Sequence, residues 1–264
     1  MSDAAPDTIL AVRSLSRRFG GLKAVDDVSF DVPRGQVRAL IGPNGAGKST
    51  IVNLLSGALR PSAGSIALDG INLAGLPAHR VAQAGVVRTF QNGRLFPRLT
   101  VLENVLAGAD ARYRTSLLGT ILRSPGFRAE EAALRTRARA LLAELGLSDD
   151  LHHDVGSLPY GQQRKLEIAR AMIHAPKVLL LDEPAAGLNS GEVEALITFV
   201  SGLRSQGVSV LLIEHNMGLV MRLADAITVL NFGRTLAEGP PGAIRTDERV
   251  VEAYLGRRRA YARV

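Results

Sequence analysis

The chain contains no cysteine and no tryptophan, and aromatic residues make up only 4% of it. Without cysteine there are no disulfide bonds, thiolate metal sites or cysteine nucleophiles, which suits a reducing compartment. Long apolar runs are also missing. A membrane helix needs about 18 apolar residues, whereas the longest runs here, such as Val178–Leu181, have the length of a buried strand. Residues 1–6 carry no charged-then-apolar leader. We therefore expect a chain that does not cross a membrane by itself.

The net charge of +7 permits an acidic partner but does not identify one. Basic residues are dispersed along the chain and few aromatic residues lie beside them, so no nucleic acid is expected as a partner. The densest basic cluster, Arg257–Arg259, lies in a predicted C-terminal basic tail, residues 251–264. This cluster has two interpretations, a solvated tail or a contact with anionic lipid headgroups.

A phosphate-binding loop of the form G-x-x-x-x-G-K-[ST] follows the strand-like run Val37–Ile41 directly. Its glycines let the backbone turn tightly, so that successive N–H groups face phosphate oxygens. In such a loop Lys48 reaches the β- and γ-phosphates, and the Ser49 hydroxyl ligates Mg²⁺. A helix predicted over Thr50–Ser56 directs its positive N-terminal end at the anion. The sequence therefore predicts binding of ATP or GTP with Mg²⁺ by Gly42, Pro43, Asn44, Gly45, Ala46, Gly47, Lys48, Ser49 and Thr50.

Strand-like and helical segments alternate along most of the chain, which predicts an α/β fold whose parallel sheet has helices on both faces. Between them, Asn104–Leu147 is rich in Ala, Leu, Arg and Glu, and Ala129–Leu145 has helical spacing. We interpret this block as a helical subdomain, about residues 92–170, inserted into a single domain that spans residues 8–250. The expected strands are Ile9–Val12, Val25–Phe30, Ser65–Gly70, Val86–Gln91, Lys177–Leu181, Val208–Ile213 and Ala226–Leu230.

Two adjacent carboxylates, Asp182 and Glu183, end the apolar run Val178–Leu181. A strand buried on both faces delivers such residues to the edge of the sheet at which ligands bind. There Asp182 is placed to hold the Mg²⁺ shell, and Glu183 to polarise a water molecule for attack on the γ-phosphate. Together with the phosphate-binding loop, this pair predicts nucleotide hydrolysis.

The segment Gly161–Ala171 resembles the signature helix of ATP-binding cassette (ABC) ATPases, and the resemblance extends over nearly the whole chain. It implies a P-loop NTPase core with an antiparallel β subdomain and an inserted helical subdomain. In that family two ATPase domains enclose two nucleotides, so Gly161 and Gln162 are expected to contact ATP held by a second subunit. The resemblance also implies three single-residue roles: adenine stacking by Phe19, sensing of Mg²⁺ and the attacking water by Gln91, and γ-phosphate contact by His215. A core phenylalanine in a β-hairpin is the alternative for Phe19.

Two departures from the family pattern stand out. The usual Leu-Ser-Gly-Gly-Gln appears here as Leu158-Pro159-Tyr160-Gly161-Gln162, and Pro159 supplies neither a hydroxyl nor a backbone N–H. Asn189 stands where many members carry Asp. Because Glu183 and His215 are both present, a working hydrolase is expected.

Several stretches are similar to one branch of the family, the ATPase subunits of bacterial high-affinity branched-chain amino-acid importers; they span residues 19–25, 89–92, 95–105, 158–163, 182–189 and 251–256. The long helical stretch from about Ala109 to Arg128 also fits that branch. This similarity implies a second ATPase subunit, identical or related, together with membrane permeases and, indirectly, an extracytoplasmic binding protein. The chain is then peripheral, at the cytoplasmic face of the membrane. Residues Asn92–Leu102 would receive a permease helix; core packing is the alternative for Leu95, Phe96 and Leu99.

Other functions remain open at this point. Related ABC systems import urea or export lipopolysaccharide, and an ATPase subunit does not touch the cargo. Soluble ABC ATPases that act on nucleic acid or ribosomes usually carry a long coiled-coil insertion or two fused cassettes, and this sequence has neither. A nucleotide-gated module without turnover is disfavoured by Glu183.

Overall fold

A computed structural model describes residues 7–89, 95–109 and 124–261, the last few, from Leu255, by their backbone alone. The chain divides into two compact units. The first comprises Met1–Arg88, Lys177–Ala185 and Val200–Val264, and the second Thr89–Pro176 and Ala186–Phe199. Each unit is described by itself below. No helix among the described residues is long and apolar enough to span a membrane.

The first unit is built on a six-stranded sheet with the order β10-β9-β3-β8-β7-β6. Its strands are β3 (Val37–Ile41), β6 (Val86–Arg88), β7 (Val178–Asp182), β8 (Ser209–Ile213), β9 (Ala226–Asn231) and β10 (Arg234–Gly239). All neighbouring strands are parallel except β10, which is antiparallel to β9. The central strands β3, β7 and β8 are buried at every position, as expected for apolar strands with both faces covered.

A second sheet in the same unit is antiparallel and has the order β2-β1-β4-β5. It consists of β1 (Thr8–Phe19), β2 (Leu22–Pro33), β4 (Ala63–Leu68) and β5 (Ile71–Asn72). Apolar residues of both sheets belong to one buried cluster, which includes Leu10, Phe30, Leu40, Ile51 and Leu180. The fold is therefore the predicted parallel core with an antiparallel β subdomain.

The helices, in chain order, are α1 (Lys48–Leu55), α2 (Ala78–Ala84), α3 (Val101–Ala107), α4 (Pro125–Glu144), α5 (Tyr160–Met172), α6 (Ser190–Ser205), α7 (Met217–Leu223), α8 (Pro241–Thr246) and α9 (Glu248–Tyr261). Two of them begin where local chemistry favours a helix. Thr100 and Glu103 form a reciprocal capping box at the start of α3. Ser124 caps α4, with Pro125 at its first position.

Two features differ from the sequence expectations. Residues 251–264 were expected to be a tail, but they continue helix α9 as far as Tyr261, because Val250 and Tyr254 pack against a buried cluster around Ile41 and Val229. Strand β10 was not predicted, because its sequence is short and largely polar. It forms a hairpin with β9 through Phe232 and Gly233, both of which have positive φ.

The second unit contains α3, α4, α5 and the first turns of α6, with a short 3₁₀ turn at Val155–Ser157. Helix α4 covers nearly all of the predicted helix Ala129–Leu145 and begins four residues before it. The inserted helical subdomain is thereby confirmed. Residues 110–123, which belong to the long stretch expected between Ala109 and Arg128, lie outside the described chain, as does the end of the strand predicted to reach Gln91.

Candidate nucleotide-binding and hydrolytic site

The phosphate-binding loop joins the end of β3 to α1, and two of its glycines are required by the fold. Gly42 has φ of +150°, and a Cβ placed on it would lie 2.3 Å from the Leu230 carbonyl oxygen. Gly47, which immediately precedes α1, has φ of +102°, and its Cβ would lie 2.6 Å from the Ala24 carbonyl oxygen. Any larger residue would displace backbone at both points, so neighbouring strands hold the loop in its conformation.

Lys48 is the first residue of α1, and its side chain contacts the phosphate-binding loop. Its Nζ donates to the carbonyl oxygens of Gly42 at 2.6 Å and Pro43 at 3.1 Å, and the residue is buried. Burial lowers the pKa of Lys48, and the nearby carboxylates of Glu183 and Asp182 oppose that shift by stabilising the cation. The arrangement holds a positive charge at the phosphate-binding loop, against the carbonyl oxygens of Gly42 and Pro43, which suits the binding of polyphosphate.

Asp182, the last residue of β7, and Glu183, which follows it, occupy different environments. Asp182 is buried and accepts a hydrogen bond from Arg88 Nη2 at 2.8 Å. Glu183 has φ of +50°, an uncommon conformation for a non-glycine residue, and its N–H donates to the Ile213 carbonyl at 2.8 Å. Such a conformation costs on the order of 1–3 kcal/mol and persists where the surrounding structure enforces it. The turn after Asp182 thus gives the adjacent carboxylates distinct positions.

His215 and Glu183 are brought together by the loop that follows β8. The His215 Nδ1 atom lies 3.8 Å from Glu183 Oε1. A buried carboxylate, Glu214, organises this loop: its Oε1 accepts from the Ala185 N–H at 2.9 Å, and its Oε2 accepts from the N–H groups of His215 and Asn216 at 3.0 and 3.1 Å. The sequence reasoning gave Glu214 no role, although a glutamate directly after a wholly apolar strand was a usable signal.

The first unit contains oxygen donors for a magnesium ion. Ser49 lies at the second position of α1, and Asp182 ends β7. Among the residues that the structure describes, no group of three or more His, Cys, Asp or Glu side chains could hold a metal ion. Mg²⁺ is commonly bound through one or two carboxylates together with substrate phosphates and water. A hydroxyl and one carboxylate beside a phosphate-binding loop fit that chemistry.

Phe19 ends β1, in the hairpin before β2, and is 44% exposed. The guanidinium carbon of Arg17 lies 4.7 Å from the centroid of its ring. The alternative of a core phenylalanine is therefore wrong, and the ring is an exposed aromatic surface in the unit that carries the phosphate-binding loop.

The signature segment lies in the second unit, where α5 begins at Tyr160 after Pro159. A Cβ on Gly161 would lie 1.9 Å from Glu192 Oε1, so a larger residue there would displace the Glu192 side chain. Glu192 and Asn189 cap the first turn of α6 reciprocally: the Asn189 N–H donates to Glu192 Oε2, and the Glu192 N–H donates to Asn189 Oδ1. Asn189 therefore serves as a helix cap, a role that aspartate also fills.

Tyr160 is half exposed and anchored within the same unit. Arg164 Nε donates to the Tyr160 hydroxyl at 2.9 Å, and Arg164 also pairs with the buried Glu167 at 2.9 Å. Burial raises the pKa of Glu167, and the Arg164 guanidinium opposes this shift. Gly187 has φ of +76°, and a Cβ placed on it would lie only 2.8 Å from Tyr160 Cε1. Sequence reasoning noted Tyr160 only as a departure and missed these contacts.

Phe96 is 51% exposed on a loop that Asn104 organises. The buried Asn104 side chain accepts from the Phe96 N–H and donates to the carbonyl oxygens of Phe96, Leu99 and Thr100. Phe96 is thus not a core residue, whereas Leu95 and Leu99 are partly buried.

In the first unit His215 approaches Glu183 to 3.8 Å, and the carboxylates of Glu183 and Asp182 lie near enough to Lys48 to stabilise its charge. Gly161 and Gln162 lie in the second unit. Gln91 and Asn92 lie outside the described residues.

Comparisons with known proteins agree with this architecture. The ABC transporter family model matches residues 25–186, and a second model, for branched-chain amino acid ATP-binding cassette transporters, matches residues 234–260. The high-affinity branched-chain amino acid transport ATP-binding protein BraF of Pseudomonas aeruginosa is 48% identical over 94% of this chain and 98% of its own length.

Two solved structures are informative. The crystal structure of the ADP conformation of MJ1267, an ATP-binding cassette of an ABC transporter, has a TM-score of 0.83 and 32% identity, covering 94% of this chain and 99% of its own. A dimeric post-hydrolysis structure of the ATP-binding cassette MJ0796 bound to ADP and Pi has a TM-score of 0.74 and 25% identity, covering 88% and 98%.

Proposed function

Because the chain belongs to the ABC transporter family of ATP-binding proteins, we propose that it is the ATP-hydrolysing subunit of an importer of branched-chain amino acids. The observation that carries this proposal is the match at residues 234–260 to the C-terminal segment of branched-chain amino acid cassettes. That segment coincides with β10, α8 and most of α9, outside the ATPase motifs shared across the family.

The proposed chemistry uses the residues of the first unit. The phosphate-binding loop and Lys48 bind the triphosphate, and Ser49 and Asp182 hold Mg²⁺, which neutralises charge on the phosphates when bound. Glu183 orients and polarises the attacking water, with His215 beside it and Gln91 as a further contact to the metal and the water. Phe19 stacks on adenine. These roles are consistent with the buried cation at Lys48 and the 3.8 Å approach of His215 to Glu183.

The proposed partners complete the site and couple it to transport. A second ATPase subunit, identical or related, would place its own Gly161 and Gln162 against the γ-phosphate. Because Pro159 has no N–H, the contact must come from Gly161 N–H, Gln162 or Ser157. Membrane permeases would dock near the loop that exposes Phe96, and an extracytoplasmic binding protein would deliver the amino acid. The chain would then lie at the cytoplasmic face of the membrane.

Hydrolysis is tested with Glu183→Gln, which keeps the size of the side chain but removes the charge that polarises water. We expect its steady-state Mg·ATPase rate to fall by at least about 100-fold, the size of effect typical of general-base catalysis, while ATP binding persists. Glu131→Gln is the matched control and should retain the full rate, because Glu131 lies on α4, far along the chain from the carboxylate pair, and pairs with Arg135 of its own helix. Equal rates for Glu183→Gln and the native protein would contradict the hydrolytic role.

The transport assignment is tested by purifying the chain from detergent-solubilised membranes and identifying the permeases that accompany it. The complex is then reconstituted with its binding protein, and ATPase stimulation by leucine, isoleucine and valine is compared with that by urea. Stimulation by the branched-chain amino acids alone is expected. Recovery without any permease, or stimulation by urea alone, would overturn the importer assignment.

A further inference from the structure

We propose that Arg88 is a positioning residue of the magnesium site, because one guanidinium ties the Asp182 carboxylate to the helix that carries Ser49. This inference rests on the proposed assignment of Ser49 and Asp182 as the protein ligands of Mg²⁺. Arg88 belongs to none of the sequence motifs described above, and the proposed function gives it no contact with ATP.

The geometry starts from strand pairing. Arg88 is the last residue of β6 and pairs with Leu180 on the parallel strand β7, two residues before Asp182. In parallel strands, residues two apart point to the same face. Arg88 therefore extends along the strand direction toward Asp182, and its Nη2 donates to Asp182 Oδ2 at 2.8 Å. The two side chains are only 13% and 2% exposed.

The other guanidinium nitrogen reaches helix α1. Arg88 Nη1 donates to Asn53 Oδ1 at 2.5 Å. Asn53 is four residues after Ser49, so the two side chains lie on the same face of α1, one turn apart. A single planar group thus connects the carboxylate ligand of the metal with the turn of α1 directly below the hydroxyl ligand.

Charge explains why this position needs a cation. A carboxylate buried as deeply as Asp182 is costly unless it is paired and hydrogen-bonded. Arg88 supplies that pairing and also orients one carboxylate oxygen, which limits how the group can present itself to a metal. Residues that orient metal ligands in this manner typically change metal affinity by about 10–100-fold when they are mutated.

Shape explains why arginine rather than lysine performs this role. The guanidinium has two terminal nitrogens held in a rigid fork, so it can satisfy Asp182 and Asn53 at once. The single ammonium of lysine keeps the charge but cannot reproduce both bonds with fixed geometry. Lysine at this position should therefore preserve folding while loosening the link between β7 and α1.

The test is a magnesium titration of nucleotide binding. Binding of a fluorescent ATP analogue to the full chain is measured in EDTA and then over a range of free Mg²⁺, for the native protein, Arg88→Met, Arg88→Lys and Asn53→Ala. For Arg88→Met we expect the Mg²⁺ midpoint to rise at least about tenfold, while affinity for the metal-free nucleotide changes less than about twofold. Arg88→Lys and Asn53→Ala should give smaller shifts in the same direction.

Arg38→Met is the matched control. Arg38 is a buried arginine on β3 of the same sheet, and it pairs with Glu238 and with Thr228. The Arg38→Met variant tests the general effect of removing a buried ion pair, and the Mg²⁺ midpoint of this variant should equal that of the native protein. If Arg88→Met does not fold, Asn53→Ala decides the outcome, because it keeps the charge pair and removes only the link to α1.

Failure of the positioning role can be distinguished from failure of the proposed magnesium site. A native Mg²⁺ midpoint in the folded Arg88 variants and in Asn53→Ala would overturn the positioning role, as would parallel losses of metal-free and metal-bound affinity. If the native protein itself shows no effect of Mg²⁺ on nucleotide binding or hydrolysis, then the proposed magnesium site is wrong.

Discussion

Glu214 provides the sharpest stability prediction, because a single carboxylate accepts three backbone N–H groups around the hydrolytic turn. The bond from Ala185 is buried, whereas those from His215 and Asn216 are partly exposed. Two substitutions separate these contributions. Glu214→Gln keeps one acceptor oxygen, and Glu214→Ala removes both.

The expected loss of stability in each variant depends on how deeply the N–H groups that lose their acceptor are buried. A buried donor left without an acceptor costs about 1–3 kcal/mol, while water replaces much of the loss at partly exposed donors. Glutamine can turn its oxygen to the buried Ala185 N–H, so Glu214→Gln should lower the free energy of unfolding by about 1 kcal/mol. Alanine loses all three bonds, and Glu214→Ala should lower it by about 3 kcal/mol. Turnover should fall by up to about 100-fold in Glu214→Ala, because the position of His215 depends on this loop.

Urea unfolding followed by circular dichroism measures the stabilities, and steady-state ATPase at saturating ATP measures turnover. Glu144→Gln, an exposed glutamate at the end of α4, controls for loss of charge and should leave both unchanged. Equal stability of Glu214→Ala and the native protein would refute the argument. So would an order in which glutamine is more damaging than alanine.

Three further predictions concern the loop, a helix cap and a surface carboxylate. Gly42→Ala should abolish nucleotide binding in an equilibrium dialysis assay, since its Cβ meets a backbone carbonyl at 2.3 Å, whereas Gly21→Ala, with no atom within 4 Å of its Cβ, should bind normally. The free energy of unfolding of Asn189→Asp should lie within about 0.5 kcal/mol of the native value, because either side chain caps α6, whereas Asn189→Ala should lower it by about 1 kcal/mol. A large decrease in the aspartate variant would contradict the cap assignment. Hydrogen bonds from Lys177, and secondarily from Arg34, lower the pKa of Asp69. A carboxyl ¹³C NMR titration should therefore show that Asp69 is protonated at a lower pH than an ordinary aspartate, and Lys177→Ala should raise the pKa of Asp69. Any stability that this exposed pair contributes is present above the ordinary aspartate pKa and is lost as the pH falls through the lowered pKa of Asp69.

The phosphate-binding loop and the carboxylate pair were predictable because their chemistry is local. The loop's glycines, its lysine and the start of the following helix all fall within the same nine residues. Asp182 and Glu183 end an apolar run whose length indicates a buried strand. Local patterns of this kind remain visible wherever the rest of the chain goes.

The partners of buried polar groups could not be predicted in the same way. Arg88 and Asp182 are 94 residues apart in the chain, and Glu214 accepts from Ala185 across 29 residues. A pattern of apolar and polar residues shows that such side chains are polar but not which groups they meet. The edge strand β10 was missed for a related reason, because pairing with β9 rather than its own composition makes it a strand.

The sequence alone indicated the nucleotide-binding and hydrolytic chemistry, the family and the alternation of strands and helices, since each depends on short motifs whose residues are neighbours in the chain. Only the tertiary structure decided the strand order, the 3.8 Å approach of His215 to Glu183 and the placement of Arg88 between Asp182 and Asn53. Those contacts arise when burial of the shared apolar core forces distant polar groups together, because each group must then find a hydrogen-bonding partner within reach.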